Sequence, residues 1–353
     1  MEAIVIEKII LITVILLLSL VIAMYMTLAE RKFAGFLQDR LGPNRTGPFG
    51  ILQPLADGVK LFTKEEIIPA NANKMLFILG PSLAMFTACI GSAVIPWGHD
   101  LVIGGRTIPL QVADINVGVL YIFGVVSLGV YGVMIGGWAS NNKYSLLGAI
   151  RAASQNISYE IAMGLSIIAL LMVTGTLSMR GIAVGQAGNL YGWGPSGMAW
   201  NVFYQPLGFL IYLICMFAEA NRTPFDLPEC ESELVAGYHT EHSSMKLGFY
   251  LFAEYINMFI ASAVVATLYF GGYNFPGQDA IVGSVSPFLY TLIGVAALFL
   301  KISFFLFFFI WIRWTIPRFR YDQLMKLGWN ILIPLSIANI VITGIVMFMA
   351  GKV

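Results

Sequence analysis

Long apolar segments constrain this chain more than any other feature of its sequence. A helix that crosses a bilayer needs about 20 predominantly apolar residues. Eight segments meet this requirement, at residues 9–29, 75–97, 115–139, 157–177, 200–218, 247–270, 287–312 and 329–350. Only 11% of the residues are charged, against roughly 25% in an ordinary soluble domain. The sequence therefore predicts an all-α membrane protein, a single polytopic domain over residues 1–353 with eight transmembrane helices.

Two of these segments have features of their own. The first apolar run is too long for the core of a signal peptide and lacks a small-residue cleavage site, so we expect it to be retained as the first helix. The fifth segment is interrupted by Pro206 and Gly208. A buried helix tolerates such a break where its neighbours satisfy the freed backbone groups.

Lysine and arginine are distributed unevenly between the connecting loops. The loops at about 29–74, 139–156, 219–246 and 313–328 alternate to one side of the membrane and together hold 15 of these residues. The loops at 98–114, 178–199 and 271–286, on the other side, hold 2. Because short cytoplasmic loops carry an excess of positive charge, we expect the first set to be cytoplasmic. With eight spans, both termini are then periplasmic.

The first cytoplasmic loop contains a further helix of a different kind. Between residues 48 and 63, Leu52, Leu55, Val59 and Phe62 recur at three- or four-residue spacing, with polar residues on the opposite face. Such a helix is too short and too polar on one side to span a bilayer. The pattern predicts an amphipathic helix that lies at the cytoplasmic interface.

Four ionisable residues lie within or at the end of predicted spans, namely Glu160, Glu219, Glu254 and Lys301. A charge inside a bilayer is costly, so each is a candidate for a functional role. Apolar surroundings penalise the charged forms, which allows such groups to exchange protons near neutral pH. A structural polar network or a buried ion pair explains the same residues. Carboxylates on three successive spans favour proton handling over that alternative.

The cytoplasmic loop at 219–246 is acidic, although the positive-inside pattern favours basic residues there. It holds carboxylates at positions 219, 226, 229, 231, 233 and 241, against Arg222 and Lys246. Pro224 and Pro228 keep its first part out of a regular helix. A folded acidic cluster that accepts protons and a solvated loop that faces a basic partner are both consistent with this composition.

Cysteine and histidine give no signal for a disulfide or a metal site. Cys89, Cys215 and Cys230 are widely separated, without the paired spacing of a zinc or iron–sulfur site. His239 and His242 have a spacing that could serve a metal, but no further ligand stands at a fixed offset, so we expect both in a solvated loop. The sequence has no Walker or Rossmann glycine pattern, and the chain is expected to bind neither ATP nor NADH.

Several longer motifs resemble one known family. The motifs are Ala29-Glu30-Arg31-Lys32, Arg40-Leu41-Gly42-Pro43-Asn44-Arg45, Gln53-Pro54-Leu55-Ala56-Asp57, Ser158-Tyr159-Glu160, Glu219-Ala220-Asn221-Arg222-Thr223-Pro224-Phe225-Asp226-Leu227-Pro228-Glu229 and Ala253-Glu254-Tyr255. They resemble the H subunit of respiratory NADH–quinone oxidoreductase, which corresponds to mitochondrial NADH dehydrogenase subunit 1. With further matching runs, the resemblance extends over residues 29–330.

The resemblance implies a tunnel through which a long-tailed quinone arrives from the bilayer, and a buried acidic path that couples quinone reduction to proton pumping. The residues that match the family's quinone tunnel are Glu30, Arg31, Gln38, Arg40, Asp57, Lys60, Arg222 and Phe225. The residues that match its acidic path are Tyr159, Glu160, Glu219, Asp226, Glu229, Glu231, Glu233 and Glu254.

The resemblance also implies a non-redox subunit of a proton-translocating enzyme, located in the bacterial inner membrane and not catalytic in isolation. No metal or cofactor is expected in this chain; quinone is the substrate, and FMN and iron–sulfur clusters are expected in partner subunits. The expected partners are peripheral-arm subunits with the terminal cluster, antiporter-like and small membrane-arm subunits, and membrane lipid. A net charge of +1 gives no reason to expect nucleic acid.

Three other functions remain open at this point. The same module could serve a membrane-bound hydrogenase or another donor–quinone complex. A stand-alone ion transporter would explain the carboxylates in the spans but not the long basic first loop. A purely structural anchor is the third alternative. The sequence does not distinguish ubiquinone from menaquinone.

Overall fold

Helices make up most of the structure, a computed structural model that describes residues 2–103, 105–190, 195–282 and 284–351, with the backbone alone at residues 2–4, 103, 231 and 232. The helices are α1 (Glu2–Leu37), α2 (Gln53–Thr63), α3 (Lys74–Gly91), α4 (Gly118–Ala139), α5 (Lys143–Thr174), α6 (Met179–Gly185), α7 (Asn201–Tyr204), α8 (Pro206–Glu219), α9 (Glu231–Leu234), α10 (Ser244–Phe270), α11 (Gln278–Ile281), α12 (Pro287–Thr315), α13 (Tyr321–Lys326) and α14 (Ile333–Met349). Short 3₁₀ turns lie at Pro48–Gly50, Ser92–Val94 and Gly237–His239. A π-helical turn at Leu327–Leu332 leads into α14. Strands β1 (Leu101–Ile103) and β2 (Arg106–Ile108) pair antiparallel between α3 and α4.

Seven helical stretches in the described part of the chain are long and apolar enough to cross a membrane. They are Val5–Leu37, Lys74–Val94, Gly118–Ala139, Lys143–Thr174, Ser244–Phe270, Pro287–Thr315 and Tyr321–Met349. Each contains one of the predicted spans or most of it. The prediction of a helical, multi-pass membrane protein is confirmed at this level.

The predicted fifth span, residues 200–218, differs from the other seven. Gln205 has a non-helical backbone (φ −133°, ψ 57°), and α8, which starts at Pro206, has 14 residues. At 1.5 Å per residue this helix is about 21 Å long, less than the hydrocarbon core of about 30 Å. The Gln205 side chain at the break is held by α14, because its amide donates to Thr343 Oγ1 at 2.7 Å and its carbonyl accepts from Asn339 at 3.1 Å. In the described residues, seven helical stretches are long enough to span a membrane, and the predicted fifth span is broken at Gln205, next to the Pro206 interruption that the sequence indicated.

Several helices continue into regions that were expected to be loops. Helix α1 extends to Leu37, so Glu30 and Arg31 lie on the helix itself. Helix α5 begins at Lys143, where the Asn142 side chain caps it by accepting from the Tyr144 N–H at 2.9 Å. The expected loop at 139–156 is therefore a short turn before a long helix. Hydropathy marks where a chain enters hydrocarbon, whereas capping residues decide where a helix ends.

The amphipathic helix is shorter than predicted. Helix α2 begins at Gln53 and not at residue 48, because Phe49 and Gly50 have positive φ values of 52° and 76° that separate the preceding 3₁₀ turn from it. It ends at Thr63, as expected. Leu55, Val59 and Phe62 remain exposed. No part of the described chain therefore covers the apolar face of α2.

Helix α10 lies at the centre of the molecule and is the most buried of the seven spans. It packs against α1, α2, α3 and α12, and also contacts α8. Helices α3 and α4 approach each other closely at Gly80 and Gly136, where a Cβ on Gly80 would lie 2.7 Å from the Gly136 Cα. Cavities form on two sides of α10, and the candidate functional residues lie around them.

Candidate functional site

A cavity with a volume of about 710 Å³ lies where α1, α2, α10 and α12 meet. Part of its wall is apolar and includes Met24, Leu251 and Phe252. The charged residues of the wall are Glu30, Arg31, Arg40, Asp57, Lys60, Lys64 and Arg313. Sites for small molecules usually measure about 300–1,000 Å³ and combine an apolar lining with a few polar groups. The size and lining of this cavity fit an amphipathic ligand.

Polar contacts between α1 and α2 organise the charged part of the wall. Arg31 Nη1 donates to Asp57 Oδ2 at 2.8 Å, and Gln53 Nε2 donates to the other carboxylate oxygen at 3.1 Å. Lys60 Nζ lies 3.7 Å from the same carboxylate. These contacts hold the polar face of α2 against the end of α1, with Asp57 at the centre.

Glu30 is buried in the wall of this cavity. Its carboxylate accepts a hydrogen bond from Tyr255 Oη at 2.7 Å and pairs with Arg313. Arg222 Nη1 lies 3.8 Å from Glu30 Oε2, and Arg222 Nε lies 3.1 Å from Glu254 Oε1. The Arg222 guanidinium also lies 4.3 Å from the centre of the Tyr255 ring. Buried charges persist when they are paired, and one arginine here pairs with two carboxylates from different helices.

Glu254 also lines a second, polar cavity of about 50 Å³ between α3, α4, α5, α8 and α10. Glu219, Asn156 and Asn257 contribute to its wall. A third cavity, of about 30 Å³, adjoins Glu219 and Asn257 on the apolar side. A single water needs roughly 10–15 Å³ measured in this way. Both cavities have room for water beside Glu219.

Glu160 extends this arrangement to α5. Its carboxylate accepts a hydrogen bond from Ser127 Oγ on α4. It is close enough to Glu219 for the two carboxyl groups to interact electrostatically. Glu254, Glu219 and Glu160 therefore follow one another across α10, α8 and α5.

Two carboxylates of the acidic loop lie beside this series. Arg318 Nη2 donates to Asp226 Oδ2 at 2.7 Å, yet burial raises the pKa of Asp226 because desolvation outweighs the arginines nearby. Burial raises the pKa of Glu229 well above its ordinary value, and the neighbouring carboxylates of Glu254 and Asp226 raise it further, against the opposing effect of Arg222. The first part of this loop is thus a folded acidic cluster rather than a solvated one.

The structure brings most of the predicted tunnel residues together. Five of them line the large cavity; these are Glu30, Arg31, Arg40, Asp57 and Lys60. Gln38 accepts a hydrogen bond from Arg40 Nε at 2.7 Å, and Arg222 lies behind Glu30. Phe225 does not line this cavity: its ring packs against Tyr159 and Phe319, at 5.3 and 5.5 Å between ring centres.

Of the remaining residues of the predicted acidic path, two do not belong to the series formed by Glu254, Glu219 and Glu160. Tyr159 is buried and donates from Oη to the Leu324 carbonyl at 3.0 Å. The Glu233 side chain is 50% exposed and pairs with Arg151 at 2.6 Å, away from the buried carboxylates. The side chain of Glu231 lies outside the described residues.

Sequence reasoning missed Tyr255 and Arg313 as site residues. Tyr255 directly follows Glu254 in a motif that pointed to the glutamate alone. Arg313 ends a span, where a basic residue is explained by membrane orientation. Its contact with Glu30 joins positions 283 residues apart, which no local pattern reveals.

The expectation that His239 and His242 lie in a solvated loop was wrong. The His242 side chain packs against the rings of Phe77 and Tyr250, at 4.2 and 5.1 Å, and His239 lies 5.4 Å from Tyr250. Tertiary contact with α3 and α10 buries a segment whose composition is polar. Burial lowers the pKa of His239 to about 3, and that of His242 to about 4. Both imidazoles are neutral at neutral pH.

Lys301 caps the C-terminal end of α10. Its Nζ donates to the carbonyls of Phe270, Gly272 and Asn274 at 2.6, 2.7 and 2.5 Å. These carbonyls lie at and just beyond the end of α10, where backbone acceptors have no partner within the helix. Within the described residues, no group of three or more His, Cys, Asp or Glu side chains is arranged to hold a metal ion.

Comparison with known proteins identifies the family. The model of the family described as NADH dehydrogenase matches residues 9–344. One NADH-quinone oxidoreductase H subunit of Cytophaga hutchinsonii is 66% identical over 338 residues, 96% of each chain. The chain belongs to the family of NADH–quinone oxidoreductase H subunits.

Other H subunits show the same likeness. The H subunit of Flavobacterium johnsoniae is 63% identical over 345 residues, which cover 98% of this chain and 96% of that protein. The H subunit of Thermomicrobium roseum is 50% identical over 323 residues, which cover 91% and 90% of the two chains. The chain is therefore a membrane subunit of a NADH–quinone oxidoreductase, as the sequence motifs indicated.

Proposed function

We propose that this subunit guides a quinone from the bilayer through the cavity between α1, α2, α10 and α12, and couples the reduction of that quinone to proton translocation. One observation carries this proposal. Arg222 contacts Glu30 in the wall of the large cavity and Glu254 at the start of the carboxylate series, at 3.8 and 3.1 Å.

The composition of the large cavity suits a quinone. An isoprenoid tail gains free energy against apolar side chains such as Met24, Leu251 and Phe252. The carbonyl oxygens of the headgroup accept hydrogen bonds, and Arg31, Arg40 and Lys60 are donors beside the same space. Electrons come from a partner: FMN and iron–sulfur clusters belong to peripheral-arm subunits, and the antiporter-like subunits complete the membrane arm.

Coupling follows from the shared arginine. Quinone reduction takes up two electrons and two protons and changes the charge beside Glu30. Arg222 interacts electrostatically with both Glu30 and Glu254. A change in the charge of Glu30 therefore alters how strongly Arg222 stabilises the charged form of Glu254. The two small cavities extend the connection to Glu219, which interacts electrostatically with Glu160. Carboxyl groups this close titrate as a coupled set, so a proton gained at one site shifts the others.

The proposed membrane arrangement has the acidic loop and α2 on the cytoplasmic side and both termini in the periplasm. Helices α7 and α8 together form the eighth crossing as a broken helix, and Asn339 and Thr343 hydrogen-bond to the Gln205 side chain at the break. The exposed apolar residues of α2 rest in the interface.

A cavity-filling substitution tests the quinone site. Gly58 lines the large cavity, and a Cβ added to it meets no atom within 4 Å. Gly58→Trp is expected to raise the KM for quinone by at least about tenfold, a loss of about 1.4 kcal/mol of binding free energy. Val59→Trp, on the exposed apolar face of α2, is the matched control and keeps the wild-type KM. NADH oxidation by a hydrophilic acceptor, which bypasses the membrane subunit, stays normal in both. An unchanged quinone KM in Gly58→Trp would remove this cavity from the quinone path.

Carboxamide variants test the coupling. Glu219→Gln and Glu254→Gln are expected to lower quinone reduction and proton pumping in reconstituted vesicles while the complex still assembles. Glu7→Gln, which removes a carboxylate paired loosely with Arg106 at 3.8 Å, serves as the control. Full pumping in both Glu219→Gln and Glu254→Gln would exclude these residues from the mechanism.

A further inference from the structure

Two buried histidines lie between the carboxylate series and the protein surface, and the proposed function does not use them. His239 Nδ1 lies 3.1 Å from Glu229 Oε1. His242 is 5% exposed. Within the described residues, His239 Nε2 and both ring nitrogens of His242 are buried without a hydrogen-bond partner. Native proteins leave few buried polar atoms unpaired, and each such atom requires a reason.

On the side facing the protein surface, the two histidines are followed by a lysine that pairs with an exposed glutamate. Lys246, one turn after His242, pairs with Glu66, whose side chain is 56% exposed. The Lys246 ammonium lies 5.2 Å from the centre of the Phe77 ring, on which His242 also packs. Lys246, itself buried, therefore lies between the solvent-exposed Glu66 and the imidazole of His242.

On the side facing the protein interior, Tyr250 connects the two histidines to the cavity lined by the carboxylates. The Tyr250 ring is 5.4 Å from His239 and 5.1 Å from His242, and Tyr250 lines the polar cavity that Glu219 and Glu254 share. A Cβ built on Gly136 would lie 1.9 Å from Tyr250 Oη and 3.3 Å from His242 Nε2. The hydroxyl and this nitrogen therefore face the same point of α4.

We propose that His239 and His242 relay protons between the surface at Glu66 and the carboxylates of Glu229 and Glu254. This inference rests on the proposed function of those carboxylates. A neutral imidazole has one N–H and one free lone pair on the opposite nitrogen. It accepts a proton on the lone pair and releases the original proton from the other side, so charge and protons balance and no electron moves.

The environment of the pair supports this role. The titratable groups that face it are Glu229, Lys246, Tyr238 and Tyr250. Burial lowers the pKa of both imidazoles, to about 3 and about 4. At rest each therefore keeps a nitrogen free to accept a proton.

The alternative is that the imidazoles act only as packing groups among aromatic rings. His242→Phe and His239→Phe keep ring packing and remove the nitrogens. As a relay, each substitution lowers turnover and pumping in vesicles by about 10²-fold, typical for removal of a proton-transfer group. The solvent deuterium isotope effect rises and the KM for quinone stays constant. His99→Phe is the matched control, because His99 is a half-buried histidine packed on Tyr273 and Tyr290 and lies apart from this group.

Wild-type turnover, pumping and isotope effect in His242→Phe and His239→Phe would overturn the relay. If His242→Phe does not assemble, His242→Gln is measured in the same way. Glu219→Gln, measured in parallel, separates the two proposals. If Glu219→Gln loses pumping while the histidine variants pump normally, only the relay fails. If Glu219→Gln and Glu254→Gln both pump normally, the proposed function fails and the relay fails with it.

Discussion

Removal of the Arg222 charge should disconnect the large cavity from the carboxylate series. Arg222 and its two partners, Glu30 and Glu254, have side chains that are only 8–10% exposed. Removing one member of a buried ion pair typically costs about 3–5 kcal/mol of stability, because the remaining charge stays buried without a partner. A coupling free energy between two sites is typically about 1–3 kcal/mol, or roughly 5–150-fold, so Arg222→Met should lower kcat/KM for quinone reduction by about that factor.

A double-mutant cycle assigns that loss to the contact between Arg222 and Glu254. Quinone reductase activity is measured in membranes for Arg222→Met, Glu254→Gln and the double variant. If the two side chains act as a pair, the second substitution lowers activity much less in the double variant than it does alone. The cycle then gives a coupling energy of about 1.5 kcal/mol or more.

The control is Arg180→Met, because Arg180 makes an exposed bidentate pair with Asp100 at 2.8–2.9 Å. Exposed pairs contribute about 0–1 kcal/mol to stability, so this variant should assemble and keep an activity close to that of wild type. Strictly additive losses in the Arg222–Glu254 cycle, or wild-type activity in Arg222→Met, would refute the proposed connection.

Three further predictions concern His242, Lys301 and Arg31. Because burial lowers the pKa of His242 to about 4, its contribution to stability is present above an ordinary pKa of about 6.5 and is lost as the pH falls toward 4. The loss amounts to ~2 kcal/mol between pH 7 and 5, so thermal inactivation of His242→Gln should depend less on pH than that of wild type. Lys301→Met leaves three carbonyls at the end of α10 without a donor and should reduce thermal stability by about 2–4 kcal/mol with an unchanged quinone KM. A stable Lys301→Met complex that no longer pumps would contradict this structural role. The Arg31 side chain is 51% exposed, so Arg31→Ala should cost at most ~1 kcal/mol of stability yet raise the quinone KM, and an unchanged KM would exclude Arg31 from headgroup binding.

The transmembrane helices could be predicted because a bilayer imposes a minimum length on every apolar helix. The same reasoning could not predict their ends. Helix α5 starts at Lys143 because Asn142 caps it, well outside the apolar stretch. The break at Gln205 was signalled by Pro206, but the side chains that stabilise it, Asn339 and Thr343, come from the last helix and only the folded chain brings them there.

The candidate site was predictable where function follows from residue type. A carboxylate within an apolar span is costly, so Glu160 and Glu254 could be selected from the sequence. The contact partners of the site residues could not be predicted, because the contact of Arg313 with Glu30 and that of His239 with Glu229 depend on tertiary packing. Segment 237–246 is polar enough to suggest a solvated loop, but α3 and α10 enclose its histidines. Polarity of a short segment does not determine its burial when long helices pack around it.

Photoaffinity labelling of the assembled complex in native membranes, with a short-chain azidoquinone, tests most directly whether the cavity between α1, α2, α10 and α12 binds quinone. The expected labels lie on the apolar wall, at Met24, Leu251 and Phe252. Excess quinone should compete with them, and Gly58→Trp should abolish them. Labels confined to the outward faces of other helices, unchanged by competing quinone and by Gly58→Trp, would contradict the assignment of this cavity to quinone.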